Sequence, residues 1–262
     1  DVSVTNRMGE DRRFNVTQED FVGSKDPSQT VILLGNDKST HSLKESLIPE
    51  QQSFILKHGE RARLPIRVSL PNNIEPGGHY ASVLIDTVTV DKSGTRTGAS
   101  GSAALVSRIG TLVFIRVPGP TNESGTLKDF STVGDRKIFG SNEMIPFTLL
   151  YENTGSVHVN PYGFVHIKNL TGGEVATIKI DPWFSMPDSV RTREVQWNPP
   201  FLFGRYVATA EINRGYGDNI DTLSYSFWVI PWKLMLVALA AIVLLIILVK
   251  FVFSKFEFRR KE

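Results

Sequence analysis

The sequence predicts an all-β protein: two tandem immunoglobulin-like β-sandwiches followed by one C-terminal transmembrane α-helix. Three observations carry that prediction. Up to about residue 230 no segment keeps a helical period, whereas short alternating runs rich in Val, Ile, Thr, Phe and Tyr recur between Gly, Pro and Asn. Near the C-terminus stands a long, unbroken apolar run. Finally, two stretches of the strand-rich region echo each other.

In the first module, predicted over residues 1–117, Val4-Thr5-Asn6 ends an early strand. Arg61 to Leu70 reads RARLPIRVSL and places Ala62, Leu64, Ile66, Val68 and Leu70 on one face. Pro71 to Gly78 is dense in residues that set turn dihedrals. A strand from Tyr80 to Val90 follows, then a Gly/Ser/Thr-rich hairpin tip over 93–102, and Thr111 to Val117 closes the module. Residues 118–125, with Pro118-Gly119-Pro120, read as a linker.

The second module is predicted over 126–230. Its strands are Pro146 to Asn153, a bent strand from Val157 to Asn169, Val175 to Ile180, Val190 to Trp197, Arg205 to Ile212 and Thr222 to Ile230. About seven strands per module, with turns every eight to twelve residues, fit immunoglobulin-like sandwiches. The modules share an Asn at the end of an early strand (Asn6, Asn153) and a Gly-x-Tyr opening a long one (Gly78-His79-Tyr80, Gly204-Arg205-Tyr206). The two tyrosines sit where a sandwich often ties a corner to its backbone. In this alignment residue 1 falls in a second strand, so the expectation is that the opening strand of module one is missing.

Leu234 to Val249 contains no polar side chain, and the apolar run resumes after Lys250 through Phe253. Twenty such residues make about 30 Å of helix, the thickness of a bilayer core. A transmembrane helix is therefore predicted over 231–253, with Trp228 and Trp232 in an interfacial belt and residues 254–262 as a basic tail. From Lys233 onward the chain carries six Lys or Arg against two Asp or Glu, net +4, leaving 23 basic and 25 acidic side chains before it, net −2. The positive-inside rule puts the tail in the cytoplasm and the modules outside, in a plasma membrane crossed once. The acid-balanced body lacks the basic stripe that a nucleic-acid partner requires.

The 262 residues include no cysteine, which excludes disulfides, thiolate metal sites and cysteine nucleophiles and favours a bacterial or archaeal surface protein. His41, His58, His79, His158 and His166 form no metal-binding spacing, and Glu19 and Asp20 are adjacent, so on a strand they face opposite ways and share no proton. No catalytic, cofactor-binding or metal-ligating residue is assigned. Asp218-Asn219-Ile220-Asp221 resembles part of a calcium loop but reads better as a polar turn. Asn15, Asn122 and Asn169 open N-x-[ST] triplets. Trp183, Phe184, Trp197 and Phe201 read as sandwich core before they read as a ligand surface.

The stretch from His58-Gly59-Glu60 through Leu64-Pro65-Ile66-Arg67-Val68 to Pro76-Gly77-Gly78-His79-Tyr80-Ala81-Ser82-Val83, with Ser107 to Phe114, Val117 and Gly119, is similar to the first domain of the WxL-interacting protein family, membrane-anchored proteins of Gram-positive cell walls. Asn153-Thr154-Gly155, His158, Pro161, Gly163 and Gly204-Arg205-Tyr206 resemble the membrane-proximal sandwiches of related proteins. The resemblance implies peptidoglycan binding by the first domain and protein or host-surface binding by the second. The functional expectation is a non-enzymatic, membrane-anchored surface protein that binds wall polymer or a partner protein, in adhesion or as a scaffold, needing no cofactor. The alternative is a structural or accessory subunit of a larger envelope assembly.

Overall fold

A computed structural model describes residues 1–89, 107–199 and 201–255. Its strands are β1 (Val2–Thr5), β2 (Arg12–Gly23), β3 (Val31–Leu33), β4 (Leu47–Pro49), β5 (Ser53–Leu56), β6 (Arg61–Leu64), β7 (Ile66–Val68), β8 (Gly77–Thr89), β9 (Arg108–Val117), β10 (Gly125–Thr132), β11 (Ile138–Gly140), β12 (Ile145–Asn153), β13 (Tyr162–Asn169), β14 (Glu174–Ile180), β15 (Ser189–Trp197), β16 (Gly204–Asn213) and β17 (Ile220–Ile230), followed by helix α1 (Trp232–Lys255). The chain falls into two compact units: residues 1–126, 151–161 and 183–191 form the first, and 127–150, 162–182 and 192–262 the second.

The second unit is an immunoglobulin-like sandwich. A five-stranded sheet in the order β11-β17-β16-β13-β14 faces the three-stranded sheet β10-β12-β15. All its mapped pairs are antiparallel except β11 on β17, which runs parallel with Gly140 opposite Ile230. The alternation IPFTLLYEN predicts one buried face, and Ile145, Phe147 and Leu149 are indeed fully buried while the intervening residues are partly exposed. Phe147 meets Phe227 edge-on at 5.7 Å, and Trp197 packs on the same ring at 6.3 Å. Tyr206 forms the expected corner, its hydroxyl donating to the Phe203 carbonyl at 3.2 Å.

In the first unit β8 is a central strand, with β2 and β9 on either side of it; β3 and β5 extend the sheet through β2. The pair β1-β6 covers one face through Leu64, Val16, Ala81 and Val83. Phe21, Tyr80 and Met186 form a separate cluster. Twelve residues of β2 hold a buried carboxylate, Asp20, which is tolerated because it accepts from the backbone N–H groups of Ser39, Leu43 and Lys44 at 3.0–3.1 Å.

The repeat is visible in hydrogen bonds. Buried Asn153 donates to the carbonyls of Val157 and Ser185 and accepts from the Gly155 N–H; buried Asn6 donates to those of Glu10 and Leu56 and accepts from the Met8 N–H. The spacing i+2 and i+4 plus one distant carbonyl is the same in both. By sheet order β1, β6, β2, β8 and β9 correspond to β12, β15, β13, β16 and β17.

Several expectations are corrected. The predicted strand from Arg61 to Leu70 breaks at Pro65, which has no N–H to donate: β6 pairs with β1, β7 pairs with β4, and Val68 and Leu70 are exposed. The predicted strand from Val157 to Asn169 likewise starts only after Pro161. Tyr80 does not mirror Tyr206: it packs with Phe21 and Met186, whereas Ala81 and Val83 join the β1-β6 core. The predicted hairpin tip at 93–102 and the tail beyond residue 255 lie outside the described residues. Helix α1 is long and apolar enough to cross a membrane, and the whole of its apolar stretch is unburied.

Candidate functional site

The corresponding edges of the two units are treated differently. In the second unit the outer edge of β12 is paired by β10, and the Trp228–Ile230 end of β17 by β11. In the first, no strand among the described residues pairs with the matching edges of β1 and β9. Between those edges runs a cleft of about 440 Å³, lined by residues that include Val2 and Val4 of β1, Phe14 of β2, Ile85 of β8 and Ile109 of β9. Phe227 and Val229 near the covered end of β17 are fully buried and Trp228 is half-exposed, whereas Ile109 of β9 is 69% exposed. Val2 and Val4 are only partly buried against the core.

The groove combines two edge rows of backbone N–H and C=O groups, which no strand among the described residues pairs, with an apolar floor, the two features by which a sheet edge recognises an extended chain. Among the described residues that line it, Arg7 is the one titratable side chain. Beside it, Ser3 and Thr5 pair with Arg63 and Arg61, both exposed on β6, so the outer face next to the open edge of β1 is basic.

Residues singled out in the sequence lie elsewhere and make local contacts, with the buried His79 Nδ1 and Trp183 Nε1 lacking a hydrogen-bond partner among the described residues. His58 accepts from the Gly9 N–H at 3.0 Å, His79 bonds the Glu75 carbonyl at 2.9 Å, and His166 contacts Thr177 and Glu174. His41 meets the Tyr80 ring edge-on at 6.0 Å. The Tyr80 hydroxyl accepts from the His158 backbone N–H at 2.9 Å and lies 3.2 Å from its Nδ1. Burial pushes both His41 and His158 below the ordinary histidine range, and pushes the Tyr80 phenol up to about 12. No metal-binding group of three such side chains occurs among the described residues.

Glu19 and Asp20 do face apart, Glu19 pairing with Arg108 while Asp20 anchors the 39–44 loop. Asp221 is taken up by Arg214 and the Leu127 N–H; Asp218 lies in the turn expected here, while Ile220 and Asp221 already belong to β17. Asn15 lies within β2, the Asn122 carbonyl accepts from Ser156 N–H, and Asn169 caps its own turn through Thr171 and Gly173. Trp183 and Trp197 are core and Phe184 packs on Phe114, but Phe201 is 56% exposed. The groove itself was missed in the sequence because it depends on which strands pair.

No family model matches the chain, and no curated protein matches it. Solved structures that match include the chaperone–tip adhesin complex of CFA/I fimbriae (10% identity, TM-score 0.38, covering 86% of this chain and 89% of that one). Others are the class 5 fimbriae chaperone CfaA (12%, 0.36, 86% and 90%) and the CsuC–CsuE chaperone–tip adhesion subunit pre-assembly complex of Acinetobacter baumannii (10%, 0.35, 85% and 88%). These are distant likenesses; sheet order and register define the sandwiches.

Proposed function

We propose that the chain is a membrane-anchored, non-enzymatic binding protein whose first unit captures an extended segment of a partner polypeptide by strand addition. The open groove between β1 and β9 carries this reading. In the second unit β10 covers the equivalent edge of β12 and β11 the end of that of β17, so the fitting occupant is itself a strand, with apolar side chains inward at alternate positions. The basic row formed by Arg61 and Arg63 favours acidic residues on its outer face. An apolar floor with backbone edges suits a polypeptide better than a hydroxyl-rich glycan. Helix α1 is the anchor, the basic flank after it orients the sandwiches outward, and the resemblance to WxL-interacting proteins supports a cell-surface setting, alone or within an envelope assembly.

The test is fluorescence anisotropy with the full chain in detergent and a short peptide alternating Val or Ile with Glu or Thr. Saturable binding is expected, lost in Ile109→Lys, kept in the control Ile55→Lys on β5, and weakened by Arg61→Glu with Arg63→Glu. Failure of the wild-type protein to bind, or equal binding by Ile109→Lys, refutes strand capture. Retention of the chain on purified cell-wall sacculi without peptide binding points to the glycan instead.

A further inference from the structure

We infer that the base of the second sandwich is a lipid-contacting surface, so that the unit is seated on the bilayer by its loops as well as tethered by α1. The inference rests on α1 crossing a membrane. Register fixes the level of each element. β17 ends at Ile230, and α1 begins at Trp232, leaving only Pro231 between sheet and helix. Gly204 stands opposite Val229 and Gly140 opposite Ile230, so the 201–203 loop and the 141–144 turn reach the level of the first helical turn. Asn169 stands opposite Tyr206, which brings the β13–β14 turn to the same end.

A cleft of about 560 Å³ confirms the proximity: Ser141, Asn142 and Phe201 line it together with Trp232, Lys233 and Leu234. Leu234 opens the apolar run, so a bilayer that reaches Leu234 reaches Phe201. Each loop facing that plane presents an exposed apolar side chain, beside polar ones such as Asn142 and Glu143 in the 141–144 turn. Phe203 is 68% exposed and Leu170 75% exposed, and Met144, Trp228 and Trp232 are exposed as well. The 201–203 loop is held in place by its backbone. The Ser141 hydroxyl donates to the Leu202 carbonyl at 2.6 Å and the Tyr206 hydroxyl to the Phe203 carbonyl, so the two phenyl rings are presented outward from a fixed frame. Phe and Trp on such a rim, with Lys233 over the Trp232 ring at 5.7 Å, have the chemistry of the interfacial belt.

The chain has no cysteine, so single labels are clean. Phe201→Cys, Phe203→Cys and Leu170→Cys, with Leu244→Cys in the helix and Asp218→Cys at the far β16–β17 turn about 30 Å away, each carry a fluorophore on the full chain. They are reconstituted in phosphatidylcholine vesicles containing phosphatidylglycerol and nitroxide lipids. Quenching of about two-fold or more is expected at 201 and 203 with headgroup nitroxide, consistent with a seat in the boundary zone, with less at 170 and none at 218. Quenching at 244 but not at 201 and 203 overturns the seated base while leaving the anchor intact. No quenching at 244 overturns both.

Discussion

Replacing Asn153 with Ala separates the structural pin of the repeat from mere residue similarity. In the native unit its amide donates to the Val157 and Ser185 carbonyls, both at 2.9 Å, and its oxygen accepts from the Gly155 N–H at 2.9 Å, all in buried surroundings. Alanine leaves the Val157 carbonyl and the Gly155 N–H without partners where water does not reach, while the Ser185 carbonyl keeps the Val159 N–H. Each buried orphan costs about 1–3 kcal/mol, so the loss is about 3–5 kcal/mol, with some relaxation allowed. Asn6 makes the same three bonds, but those to Glu10 and Met8 are only part-buried, and water replaces part of them. Asn6→Ala is therefore expected to cost about 2 kcal/mol, less than its counterpart. Urea unfolding of the full chain in detergent reads both, with Trp183, packed on Tyr151 at 6.2 Å, as the reporter near Asn153. A loss below about 1 kcal/mol for Asn153→Ala, or a larger loss for Asn6→Ala, refutes the reasoning from burial.

Two further perturbations have definite signs. His41 and His158 are both held below the ordinary histidine value, chiefly by burial, with the second effect coming from His79 on His41 and from Arg116 on His158. The unfolded chain then binds more protons than the folded one, so the first unit loses stability as pH falls from about 6.5 through the folded values and none as pH rises above 7. A thermal melt series across that range shows the drop, and His158→Gln flattens it; a pH-independent midpoint contradicts it. Gly163→Ala places a Cβ 2.0 Å from the Glu211 carbonyl oxygen, a backbone atom in the paired strand β16. The β13–β16 pair must part locally, at a cost of about 1–3 kcal/mol by the same urea titration, and an unchanged midpoint contradicts the close approach.

Much of this molecule is legible in its sequence where one residue type does one job. The alternation of Ile145 to Asn153, the apolar run after Lys233, and the paired asparagines ending β1 and β12 all read directly, because period, length and a buried amide are local properties. What fails is what depends on a partner. The charged residues of β2 conceal a central strand, since the loop that satisfies Asp20 lies some twenty residues away. Pro65 and Pro161 interrupt runs whose hydrophobic pattern continues across them. Tyr80 and Tyr206 share a motif but belong to different faces, which only the packing of their sheets decides. The three residues of β11 carry no pattern at all, yet their pairing with β17 is what makes the open edge of β9 recognisable.

The most direct measurement is amide hydrogen exchange of the full chain, with and without the alternating peptide. Strand capture predicts slowed exchange at Val2–Thr5 of β1 and at the outer edge of β9 around Ile109, with β13 and β16 unchanged. Protection spread evenly over both units, or none on β1 and β9 at saturating peptide, contradicts it.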